Sequence, residues 1–229
     1  MTKNHCAVSV GKLSKDYESS DNITHAIQNI SLNVAFGDFL MITGRNGSGK
    51  STLMHMMALL DKPTKGEIYI DGERVSDLNE KVKIKLRLKS LGYIFQEYAL
   101  IQDLTAIENV MLPALMVGTL SEAKKKAQLL LSKVDLEKKM NRLPSQLSGG
   151  EQQRVAVARS LINTPKIIFA DEPTANLDSV ASKEVLDIFK KLNEDDKITI
   201  VMVTHEPEEL LYASRIINLK DGKIDEKRA

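Results

Sequence analysis

The stretch Phe39-Leu40-Met41-Ile42-Thr43, followed by Gly44-Arg45-Asn46-Gly47-Ser48-Gly49-Lys50-Ser51-Thr52, decides how this chain is read. The first five residues form an apolar run of the length of a buried strand. The next nine fit Gly-x4-Gly-Lys-Ser/Thr, the phosphate-binding loop, with Gly44, Gly49, Lys50 and Ser51 in the fixed places. Glycine lets the backbone curl so that successive N–H groups point inward at phosphate oxygens, and a helix opening at Lys50 adds its positive dipole end. In that arrangement Lys50 reaches the β and γ phosphates of a nucleotide and Ser51 reaches a magnesium ion. Leu53, Met57 and Leu60 recur at helical spacing after the loop, so strand, loop and helix follow in the order the pattern requires.

Composition sets the outer bounds. The chain has 229 residues, of which 42% are hydrophobic, enough to build a sizeable core. Its 32 Lys and Arg against 31 Asp and Glu give a net charge of +1, so no global pull toward nucleic acid is expected. The single cysteine, Cys6, excludes an internal disulfide and a cysteine metal cluster. No stretch of about 18 uncharged apolar residues is present. The strongest run, Ala106 to Val117, is short and carries Glu108 and Pro113. Without an apolar signal core near Met1, a cytosolic address is expected, and any membrane role would come through a partner.

Outward from the loop, the pattern alternates in kind. Ala7 to Leu13, and Ile30, Leu32 and Val34, read as antiparallel strands around a polar turn at Glu18 to Asn22. Tyr17, just before that turn, either packs on the sheet edge or stacks on a nucleobase. Ile68 and Ile70 alternate into a strand closing at Asp71-Gly72. Lys81 to Leu91 fits two periods: its basic residues alternate as on a strand, while Ile84, Leu88 and Leu91 share one helical face, and it is read as a solvated flank. Asp103 to Pro144 is helical in character, with a stripe of Ala127, Leu130, Leu131 and Val134 under the polar face Lys124 to Lys126. The α/β pattern resumes at Ile167 to Ala170 and Ile198 to Val203, and a hairpin with an Asp221-Gly222 turn follows.

The buried runs end in polar groups: one in the phosphate loop, one in Asp171-Glu172, one in Thr204-His205. Ligands of open parallel sheets sit at the carboxyl edge of the strands. There Asp171 suits a metal, Glu172 suits orientation or deprotonation of an attacking water, and His205 suits a γ-phosphate contact. Leu147-Ser148-Gly149-Gly150-Glu151 is a second informative stretch. Ser148 and Glu151 have capping-box spacing, and the glycines bare the backbone of a helix N-terminus, an anion site without a lysine of its own. One chain thus offers a complete phosphate cradle and an incomplete one, which a nucleotide shared between two chains would bring together.

Leu147-Ser148-Gly149-Gly150-Glu151-Gln152-Gln153-Arg154 closely resembles the signature motif of ATP-binding cassette (ABC) ATPases. The resemblance covers almost the whole chain. It implies Tyr17 as the adenine-stacking aromatic, Gln96 as the glutamine-loop residue near the metal and γ-phosphate, Asn176-Leu177-Asp178 as the dimer-contact loop, and His205 as the switch histidine. It also implies a helix for Lys81 to Leu91. Leu60 to Glu67, Phe95 to Ile101 and Leu104 to Pro113 look like the ATPases of macrolide-export, lipoprotein-release and antimicrobial-peptide transporters. Arg45-Asn46 in place of the usual Pro-Ser, and Gln102 where proline is common, depart from that pattern.

The implied fold is an α/β P-loop NTPase core with a mainly parallel sheet, an N-terminal antiparallel β subdomain (about 5–38 and 66–76) and an inserted helical subdomain (about 97–160), in a single domain over 1–229. The implied function is an ATP-hydrolysing subunit that uses ATP and Mg2+. It would dimerise around two nucleotides and drive a membrane permease that exports or extracts a lipoprotein, peptide or drug-like substrate. Lys50, Gln96, Glu172 and His205 would carry catalysis, Ser51, Gln96 and Asp171 the metal, and Gly44 to Thr52, Ser148 to Glu151 and Asp178 the nucleotide. The rival reading is a soluble ABC ATPase serving a multiprotein assembly; a P-loop GTPase is disfavoured because the chain lacks Asn-Lys-x-Asp.

Overall fold

The computed structural model describes residues 6–19 and 22–225. Ten strands and six α-helices alternate along them, in two sheets. β1 (Cys6–Glu18) and β2 (Ile23–Ala35) form a long antiparallel hairpin, and β4 (Lys65–Ile70) and β5 (Glu73–Arg74) extend it to the order β2-β1-β4-β5. The turn expected at Glu18 to Asn22 closes through Ser19 N–H to the Asn22 carbonyl at 2.9 Å, and its middle lies outside the described residues. The second sheet has the order β10-β9-β3-β8-β7-β6, with β3 (Phe39–Gly44), β6 (Leu91–Ile94), β7 (Ile167–Asp171), β8 (Thr199–Val203) and β9 (Arg215–Lys220) parallel. β10 (Lys223–Ile224) turns back against β9 through Asp221 (φ 49°) and Gly222 (φ 75°), the left-handed pair a tight hairpin turn needs.

Continuous apolar runs mark the parallel strands because both faces of that sheet are covered. Phe39, Met41, Ile168, Ala170, Ile200 and Met202 face one core, with α3 (Ala106–Leu115), α4 (Leu120–Lys133), α5 (Gly149–Leu161) and α6 (Ser179–Glu194). Leu40, Ile42, Ile167, Phe169, Val201 and Val203 face the other, against α1 (Lys50–Met57) and the antiparallel sheet. Ala127, Leu131 and Val134 are buried as their stripe predicts, and Leu130 is half-buried.

Two expectations change. Leu60 does not continue the stripe of Leu53 and Met57: α1 ends at Met57, Leu59 takes a left-handed φ of 61°, and Leu60 is left exposed. Lys81 to Leu91 is helical, as α2 (Glu80–Ser90), but it is not simply a solvated flank. Lys83 is buried and donates to the Ser76 carbonyl at 3.2 Å, and Arg87 donates to the Leu59 carbonyl at 2.7 Å. The apolar face it was given, Ile84, Leu88 and Leu91, lines an open groove of 330 Å³ with Phe95, Pro113 and Met116. No helix among the described residues is long and apolar enough to cross a membrane.

Candidate active site

Strands β3, β8 and β7 lie side by side, and their carboxyl ends deliver the site. Thr204 N–H donates to the Ile42 carbonyl at 3.1 Å, and Glu172 N–H donates to the Val203 carbonyl at 3.1 Å. The loop that leaves β3 is shaped by glycine at both ends. A Cβ on Gly44 (φ 148°) would lie 2.2 Å from the Leu219 carbonyl oxygen of β9, and one on Gly49 (φ 100°) 2.5 Å from the Ala26 carbonyl oxygen of β2. The loop is also clasped by the terminal hairpin: Gly222 N–H donates to the Ser48 carbonyl at 3.1 Å, and Gln28 N–H to the Gly222 carbonyl at 2.8 Å.

Charged groups converge inside this frame. Lys50, buried at 5% exposure, donates from Nζ to the Gly44 and Arg45 carbonyls at 3.1 and 3.3 Å, and its amine lies 3.9 Å from Glu172 Oε1. Glu172 Oε2 lies 3.4 Å from His205 Nδ1. Ser51 Oγ donates to Asp171 Oδ1 at 3.0 Å. Glu172 itself has φ 42°, a left-handed conformation that costs a side-chain-bearing residue on the order of 1 kcal/mol, held by its backbone bond to β8. An open cleft of 650 Å³ is lined by Gly47, Gly49, Lys50, Ser51, Thr52, Gln96 and Glu172, with Thr24 and His25 of β2. A cation, two carboxylates and an imidazole at the mouth of a curled, N–H-rich loop form a site for moving a phosphoryl group to water.

Residues 27–175 match the family model described as ABC transporter. The chain belongs to the ABC transporter family. As an ATPase cassette of that family it is 52% identical over 213 residues to an uncharacterized ABC transporter ATP-binding protein of Methanocaldococcus jannaschii, covering 93% of this chain and 95% of the relative. It is 50% identical to the lipoprotein-releasing system ATP-binding protein of Aquifex aeolicus, over 86% of this chain and 88% of that one. Among solved structures, the dimeric post-hydrolysis state of an ATP-binding cassette bound to ADP and Pi superposes with a TM-score of 0.89 at 43% identity, over 95% of this chain and 96% of that one.

The cassette does not bring every expected residue to one place. Ser148 and Glu151 cap α5 reciprocally: Glu151 N–H donates to Ser148 Oγ at 3.3 Å and Ser148 N–H to Glu151 Oε2 at 3.1 Å. Lys139 pairs with the other Glu151 oxygen; although burial pushes the carboxyl upward, the Lys139 and Ser148 bonds hold it below the usual glutamate range. Asp178 caps α6, accepting from Ala181 N–H at 2.8 Å. A Cβ on Gly150 would lie 2.8 Å from Ala181 Cβ, and one on Gly149 2.9 Å from the Tyr98 hydroxyl, so Gly150 also serves close packing of α5 on the start of α6, and Gly149 close packing on Tyr98. Neither Ser148 to Glu151 nor Asp178 lines the clefts at the phosphate loop among the described residues. Arg45 and Asn46 are exposed at the loop's rim.

Tyr17 lies next to the end of β1, 44% exposed, with its hydroxyl donating to Asp61 Oδ2 at 2.8 Å and Lys15 Nζ 4.8 Å from its ring centre. Burial first, then the Asp61 bond, raise its phenol above the ordinary value. His55 was not foreseen: one turn after Ser51 on α1, its Nε2 lies 3.5 Å from Asp171 Oδ2. The i, i+4 spacing from Ser51 is the signal that could have found it.

Proposed function

We propose that the cassette is the ATP-hydrolysing subunit of a membrane transporter, working as a head-to-tail homodimer that encloses two nucleotides. The observation that carries this reading is the separation within one chain: the phosphate loop, Asp171, Glu172 and His205 gather together, while the capped Ser148 turn does not line their cleft. A second copy, turned over, would lay Ser148, Gly149 and Gly150 on the nucleotide held by the first, with Asp178 at the contact.

Lys50 would then exchange its loop carbonyls for the β and γ phosphates. Glu172 would orient or deprotonate the attacking water, and His205 would contact the γ-phosphate, with Tyr17 against the adenine. The donor set fits magnesium. Among the described residues no cluster of three His, Cys, Asp or Glu could cage a metal, yet Ser51 Oγ and Asp171 Oδ1 lie together as hard oxygens, with Gln96 on the same cleft. Magnesium suits a site of one carboxylate and few protein ligands, because it keeps waters and accepts phosphate oxygens. When bound it would neutralise charge on the phosphates; Ser51, Asp171 and Gln96 would hold it.

The groove between α2 and α3 supports a permease partner. Phe95 and Met116 line it and are exposed at 39 and 67%, an apolar rim suited to a helix from a membrane subunit. The cassette would thus sit on the cytoplasmic face of the membrane through its partner, and relatives named for lipoprotein release and macrolide export support a lipoprotein or drug-like substrate. The test is affinity isolation of a tagged Glu172→Gln chain from its native cell in mild detergent with ATP. One integral membrane protein in stoichiometric yield is expected. Recovery of soluble proteins only would replace transport with an assembly role.

A further inference from the structure

We infer that Glu209 is a positioning residue that keeps the catalytic carboxylate and the switch histidine in register. The inference rests on the roles proposed above for Glu172 and His205. Glu209 lies on the 3-10 helix Pro207–Tyr212 and is 5% exposed. Its two oxygens are divided between two strand ends: Oε1 accepts from the Thr174 hydroxyl, and Oε2 accepts from Thr204 Oγ1 at 2.5 Å. Thr174 and Thr204 are themselves buried, at 6 and 2% exposure. Among the described residues no Lys, Arg or His forms an ion pair with Glu209.

A buried carboxylate without a cation is a costly way to fill space, and a leucine would occupy similar volume without that penalty. What the carboxylate does, and leucine cannot, is accept two hydroxyl hydrogen bonds at once. The donors sit where they matter. Thr174 follows Glu172 by two residues at the end of β7, and Thr204 directly precedes His205 at the end of β8. Thr204 is fixed further by its own N–H to Ile42 and by Glu206 N–H donating to its Oγ1 at 3.0 Å. Glu209 therefore spans the two loops from a third element, and the 3.4 Å approach of Glu172 to His205 lies directly beside that brace.

The experiment compares Glu209→Leu, Glu209→Gln and Tyr212→Phe, the last removing a different hydrogen bond of the same turn, Tyr212 Oη to Asp187 Oδ1 at 3.1 Å. Steady-state ATP hydrolysis is expected to show kcat reduced about 10- to 100-fold in Glu209→Leu, with KM for ATP within roughly 3-fold, since a displacement near 1 Å can cost about 100-fold in rate. Glu209→Gln, which keeps one acceptor, should recover part of the loss, and Tyr212→Phe should hydrolyse at the wild-type rate. The His205 ring resonances of the nucleotide-free chain, read by NMR, should move in both Glu209 variants and stay in Tyr212→Phe. A folded Glu209→Leu with wild-type kcat and unmoved His205 resonances overturns the inference; should that variant not fold, Glu209→Gln is judged by the same two readouts. A wild-type chain that fails to hydrolyse ATP overturns the proposed function instead, and the His205 resonances still decide the role of Glu209.

Discussion

At the scale of single residues, Gly44 and Gly49 leave no room for a side chain. Gly49→Ala would force a Cβ into a left-handed conformation and against the Ala26 carbonyl. A loss on the order of 2 kcal/mol or more is expected, seen as a melting temperature lower by roughly 5 °C or more; an unchanged melt would mean the backbone there is free to relax. Asp61 governs an acid limb of stability. Burial pushes its carboxyl upward, but the Lys15 and Tyr17 hydrogen bonds prevail and hold it below the ordinary aspartate value. Folding thus favours its ionised form, a contribution present above about pH 4 and lost as pH falls through the depressed native value. Asp61→Asn should flatten the fall in stability between about pH 4 and pH 2, measured by urea unfolding across that range. Residues such as Lys50, Ser51 and Asp171 were legible because a local pattern carries their meaning. Glu209, and the left-handed φ of Glu172, were not, since their partners come from strands and turns far along the chain.

Elements show the same division. Helix α5 was readable from its capping box, which is a local signal. Helix α2 was expected from the resemblance and not from its own pattern, because its apolar residues line an open groove while Lys83 and Arg87 reach inward to carbonyls, which blurs the usual contrast of greasy inside and charged outside. The loop before α3 hid a polar hub as well. Asn109, wholly buried, accepts from Ile101 N–H at 2.8 Å and donates to the carbonyls of Ile101, Leu104 and Thr105 at 3.1, 2.9 and 3.1 Å. Within an amphipathic pattern it reads as one polar residue among apolar ones. Asn109→Ala should orphan the Ile101 amide and the Leu104 carbonyl, the other two carbonyls keeping backbone donors, and cost about 2–4 kcal/mol. Hydrogen exchange would report it as early loss of protection at the Ile101 amide, with α5 protected to a later stage; uniform loss would mean that Asn109 supports the whole fold rather than this loop.

For the molecule as a whole, dimerisation is what the proposed division of the nucleotide site between two chains predicts. Glu172→Gln with ATP should elute at about twice the monomer mass, and adding Ser148→Arg should return it to monomer, since a large cation would stand in the contact while α5 stays folded. Elution as a dimer despite Ser148→Arg would place the contact elsewhere. The order of the chain adds a temporal consequence. Gly44 packs against Leu219, Ser48 is bonded to Gly222, and β3 is flanked by β9. A ribosome therefore displays the phosphate loop long before it has made the residues that hold that loop in shape. Nucleotide capture would then mark synthesis through Gly222, and a nascent cassette stalled short of β9 is expected to emerge without an affinity for ATP.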